Sequence, residues 1–99
     1  MTETLERLAA LNIQILPAAE ITTHFVFERD GFIALVERRQ DGFGSIGSSG
    51  VLTEAGFAVL VWKQEEPYFV TRGYEQPANS HQVEGLRRFS ADLKAALSV

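Results

Sequence analysis

The sequence contains no cysteine. Thiol nucleophiles, disulfides and cysteine-ligated zinc are therefore outside its chemistry. A basic surplus is missing too: 9 Lys and Arg stand against 13 Asp and Glu, a net charge of −4. Nucleic-acid binders usually carry a cationic excess, because phosphate neutralisation dominates their affinity. The pairs Arg38-Arg39 and Arg87-Arg88 do not reverse the balance, so no nucleic-acid partner is expected. Long hydrophobic runs are lacking as well. The longest, Phe57 to Trp62, falls far short of the roughly 20 residues a membrane helix needs, and no membrane partner is expected. The first residues, Met1 to Arg7, are polar, with no basic start and no apolar run after it. That is not a secretory signal, and the expected location is cytoplasmic.

Histidine is scarce. His24 and His81 have no ligand-like spacing between them, so no metal site and no cofactor are expected. The serines include no G-x-S-x-G elbow, and no catalytic residue is assigned.

What is present reads as one α+β domain over 1–99. Leu5, Leu8 and Leu11 recur on one face and predict a short N-terminal helix over 3–11, with Asn12 suited to a left-handed end. Ile13 to Leu16 predicts a brief strand stopped by Pro17, and residues 17–23 predict a connection. The strongest local signal is Asp30-Gly31 between two apolar runs, a two-residue hairpin turn. It sets the register Arg29–Phe32, Glu28–Ile33, Phe27–Ala34, Val26–Leu35, Phe25–Val36 and His24–Glu37. Further strands are predicted at 43–52, 57–62 and 67–72, and a loop over 73–78. Phe57 to Trp62 is apolar at every position, which predicts burial on both faces and a core Trp62. Asn79 or Ser80 caps the last helix, with Gln82 placed for a capping box. Val83, Leu86, Phe89, Leu93, Ala96 and Leu97 form its apolar stripe. The expected fold is an antiparallel meander of about five strands, with a short N-terminal helix and a long amphipathic C-terminal helix packed on one face.

Gly42-Phe-Gly44-Ser-Ile-Gly47 spells G-x-G-x-x-G. In a dinucleotide fold those glycines bring pyrophosphate to a helix N-terminus, so a helix must follow at once. Ser48-Ser49-Gly50-Val51 starts none. The expected structure is a bent or bulged edge strand.

The ligand-binding candidates are His24 and Glu37, which the hairpin places opposite each other, and Tyr74, an aromatic residue suited to lining a pocket. A histidine oriented by a carboxylate suits proton transfer or ligand binding. The more specific expectation comes from counting faces. Phe25, Phe27, Phe32, Ala34 and Val36 share one side of the hairpin; Val26, Ile33 and Leu35 share the other. A C-terminal helix of about 27 Å covers one side of a sheet, and an N-terminal helix of about 14 Å cannot cover the second alone. Val26, Ile33 and Leu35 are therefore the interface candidates, unless segment 12–23 folds over them. The leading functional expectation is a non-catalytic interaction module acting as a homodimer, or binding another protein. The rival is a small-ligand-binding protein or enzyme with a pocket between the sheet and the C-terminal helix.

Overall fold

The computed structural model describes residues 2–17 and 22–97. The chain runs α1 (Thr2–Ala10), β1 (Gln14–Leu16), β2 (His24–Arg29), β3 (Phe32–Arg39), β4 (Gly42–Thr53), β5 (Gly56–Lys63), β6 (Glu66–Thr71), β7 (Tyr74–Pro77) and α2 (Ser80–Leu97). The strands form one antiparallel sheet in sequence order, β1 to β7. The class and both helices match the sequence reading, but the sheet has 7 strands rather than about five. The two beyond that number lie at its margins: the brief first strand, which the sequence predicts, and β7, which it does not. β1 pairs with the end of β2, Gln14 opposite Glu28 and Leu16 opposite Val26. β7 occupies the segment expected to be a loop. Arg72-Gly73, with Gly73 at φ 73°, makes a tight turn that returns Tyr74 opposite Thr71. Its polar Glu75-Gln76-Pro77 gives no strand signal, and only pairing with β6 holds it extended.

The β2–β3 hairpin has the expected register from Arg29↔Phe32 to His24↔Glu37. Asp30 at φ 54° and Gly31 at φ 85° supply the two left-handed positions of its turn. The β5–β6 turn likewise has two left-handed residues, Gln64 at φ 50° and Glu65 at φ 70°, with no glycine.

α1 and α2 lie on the same side of the sheet. Leu8 of α1 and Ile13 join Leu86, Phe89, Leu93, Ala96 and Leu97 of α2 in one core with Phe27, Ala34, Val36, Ala58 and Phe69. Arg7 Nε donates to the Ala96 carbonyl oxygen at 3.0 Å, tying the two helices together. Arg29 fastens β2 to both helical segments: it pairs with Asp92 at 2.9 Å, donates to the Leu11 carbonyl oxygen at 3.2 Å and lies over the Phe89 ring. The capping box forms as expected, Gln82 N donating to Asn79 Oδ1 at 2.8 Å and Asn79 N to Gln82 Oε1 at 2.9 Å. Gly85 lets α2 lie close on the sheet, because a methyl there would press on the Phe32 ring.

Trp62 is a correction. It is 60% exposed, not core. β5 is apolar at every expected position, yet only Ala58 is buried, because one of its faces has no helix and its second half has left β4.

Candidate functional site

Two regions combine unusual geometry with chemistry: a cleft beside β4 and the helix-free face of the sheet. The cleft begins with the glycines. β4 is paired to β3 along its length, but Ala34 faces Ser49, Val36 faces Ile46 and Arg38 faces Phe43. Each two-residue step on β3 thus meets a three-residue step on β4, which is a β-bulge each time. The G-x-G-x-x-G segment is this doubly bulged stretch. It continues as strand, with no helix after Gly47. It lies inside the sheet rather than at its margin, yet its first half has an edge of its own. The β4–β5 ladder runs from Thr53↔Gly56 to Gly50↔Val59 and stops there. Beyond that point, among the described residues, β4 pairs only with β3 and β5 only with β6. Bulges bend a strand and increase its twist, which carries β4 away from β5.

The opening is filled partly by α2. A cleft of about 590 Å³ remains, lined by Arg39, Phe43, Gly44, Ser45 and Ile46 from the sheet and Ser90, Ala91 and Lys94 from the helix. Its apolar floor is fixed by ring packing: Phe43 sits edge-on to Phe25 at 5.0 Å and to Phe27 at 5.7 Å. Arg38 caps the group, its guanidinium 4.0 Å from the Phe25 ring centre. Arg39 Nε donates to Glu37 Oε1 at 2.6 Å, and that carboxylate holds the guanidinium above its ordinary pKa. Gly44 faces this pair, and a Cβ there would collide with both side chains. Lys94 has no ion-pair partner among the described residues, in contrast to Lys63, which meets Glu75 at 3.0 Å. Two hydroxyls, two cations and an apolar floor make this a place to hold a molecule.

The structure separates the ligand candidates. His24 and Glu37 are register partners, but their side chains turn to other groups: His24 Nδ1 shares a hydrogen bond of 2.8 Å with Thr23 Oγ1, and Glu37 takes Arg39. Tyr74 is on β7, on the helix side, packed against the core. His24 and Glu37 alternate onto the other side. Glu37 borders the cleft through Arg39; His24 and Tyr74 do not line it. The cleft residues escape sequence reading because β3, β4 and α2 contribute them separately. The available signal is Ser90-Ala91, small residues beside the helix's apolar stripe that leave room above Ile46. Among the described residues, no three His, Asp or Glu side chains gather as metal ligands, and no helix is long and apolar enough to cross a membrane.

The second region is the face opposite both helices. Val26, Ile33 and Leu35 lie there. Val26 and Ile33 are already buried within the chain, and Leu35 is half-buried. The same face continues through Leu52, Phe57, Val59, Val61 and Val70, with Leu52 58% exposed and the others half-buried. β1 pairs at the sheet margin and does not cross this face; residues 18–21 of the connecting segment lie outside the described residues.

Comparison with known protein families, curated proteins and solved structures finds no match for this chain.

Proposed function

We propose that the protein is a non-catalytic interaction module of the cytoplasm that works as a homodimer, pairing through the helix-free face of its sheet. The observation that carries this reading is the placement of α1 and α2 on one side, which leaves Leu35, Leu52, Phe57, Val59 and Val61 without a helix over them. Burying a large apolar side chain stabilises by about 1.5–3 kcal/mol relative to leaving it in water. A contiguous apolar patch on a soluble domain marks a contact surface more often than an accident of packing. A two-fold arrangement hides the patch with a single surface, since each copy offers the other the same residues. The charged residues of this face stand near its borders, as a polar rim would: Glu28 and Glu75 toward the two sheet margins, Glu37 and Arg39 at the end of β3 and Lys63 at the end of β5.

Sedimentation equilibrium of wild type and Leu35→Glu tests the reading. Wild type is expected as a dimer and Leu35→Glu as a folded monomer. Leu52→Glu, at a more exposed position, is the companion variant should Leu35→Glu fail to fold. A wild type that stays monomeric at high concentration sinks the proposal.

A further inference from the structure

We infer that the cleft between the first half of β4 and the last turns of α2 binds a small amphipathic carboxylic acid, its chain on Phe43, Ile46 and Ala91 and its carboxylate at Lys94. This goes beyond the dimer reading and rests on different residues.

The volume, about 590 Å³, lies within the range of small-molecule sites, about 300–1,000 Å³. Its floor is preorganised, because Phe43 is locked between Phe25, Phe27 and the bulged backbone. The charges around it then select the ligand. Glu37 occupies Arg39 at 2.6 Å, and Asp41 also acts on that guanidinium. Lys94 faces the same cleft with no carboxylate paired to it among the described residues. Arg38, also without an ion-pair partner among the described residues, lies over the Phe25 ring and does not line the cleft. Lys94 is therefore the one uncompensated positive charge among the lining residues, in a chain of net charge −4. A monoanion with a hydrocarbon body matches it. A polyphosphate does not, because it needs several cations or a helix N-terminus aimed at it, and β4 continues as strand past Gly47. An added peptide strand is also disfavoured. Its hydrogen bonds need a regular edge, and the two bulges of β4 break the register there. Ser45 and Ser90 supply hydroxyl donors that a carboxylate can accept from.

Backbone amide NMR titration with octanoate tests this, with 1-octanol, acetate and inorganic phosphate as separate arms. Octanoate is expected to give saturable shifts at Gly44, Ser45, Ile46, Ala91 and Lys94. 1-Octanol lacks the charge and acetate lacks the chain, so each is expected to bind at least about tenfold more weakly. Lys94→Glu is expected to raise the octanoate dissociation constant about tenfold or more. Ala91→Trp fills the cleft and is expected to abolish the shifts. Both positions are exposed on α2, and Lys94→Glu keeps the test decisive should the larger substitution disturb the fold. The inference is overturned by octanoate shifts that never saturate, by 1-octanol or phosphate binding as tightly as octanoate, or by an unchanged affinity in Lys94→Glu. Shifts confined to Leu35, Leu52 and Val59 would overturn it too, by placing the acid on the free sheet face.

Discussion

The two faces of this sheet are built from the same strands and nearly the same residue types, and they end in different states. On the helix side, Phe27, Ala34, Val36 and Ala58 are fully buried. One residue along β4 and β5, Leu52 is exposed and Val59 and Val61 are half-buried, whereas along β2 and β3 Val26 and Ile33 are buried on the helix-free face as well. Alternation assigns residues to faces, because successive side chains on a strand point to opposite sides. It says nothing about which face receives a cover. Here α1 and α2 meet each other through Arg7 and Ala96, so both serve the same side. The lesson is that an apolar strand such as Phe57 to Trp62 shows what the sheet is ready to bury, not what one chain does bury.

The largest expected effect sharpens that contrast. Phe27→Ala removes a ring with 0% exposure from the centre of the helix-side core. The expected loss is about 3–5 kcal/mol in unfolding free energy, since cavity and transfer terms add. Denaturant unfolding checks it, and the size-matched pair Val36→Ala, at 0% exposure, and Val59→Ala, half-exposed, compares the two faces, with the larger loss expected for Val36→Ala. Equal losses would mean that the two faces are covered to the same degree.

The next effect concerns how β4 is held where it meets β5. Gly50 is buried, and a methyl on it would run into the Ala58 carbonyl. Neither strand's backbone can move without breaking the Gly50↔Val59 and Val51↔Ala58 pairs. Gly50→Ala is therefore expected to cost about 1–3 kcal/mol, as overpacking does. Gly47→Ala is the control. Its methyl would meet only the Leu35 carbonyl oxygen at 3.5 Å, an ordinary contact, so the change should stay within about 0.5 kcal/mol. Thermal melts of the two variants that coincide would remove the distinction between the paired and the peeled half of β4.

These glycines also mark how far the sequence could be read. Asp30-Gly31 has a turn chemistry with one outcome, and the six register pairs of the first hairpin followed from it. The last helix was equally legible, because its stripe and its capping box agree with each other. The serine- and glycine-rich stretch from Gly42 to Gly50 announced a bulged strand. It could not announce that two bulges would part β4 from β5, since that depends on what β3 and β5 do beside it. The cleft was illegible for the same reason. Arg39, Ser45 and Lys94 are ordinary surface residues in sequence and meet only after the sheet has opened and α2 has crossed it. β7 was missed because Glu75-Gln76-Pro77 has no strand preference; its extended form comes from pairing alone.

The smallest expected effect is the most discriminating. Leu52→Ser shortens an exposed apolar side chain on the helix-free face, opposite Phe57. In a monomer such a change should alter stability by no more than about 0.5 kcal/mol, because little contact is lost. In a dimer the same residue is covered by the partner copy, and association adds stability that grows with protein concentration. The two cases separate in a dilution series. At low concentration, wild type and Leu52→Ser are expected to melt together. As concentration rises, the wild-type melting temperature should climb while that of Leu52→Ser lags behind it. A constant gap at every concentration would mean that Leu52 is supported from within its own chain. That outcome would erase the difference between the two faces at the position where exposure makes it largest.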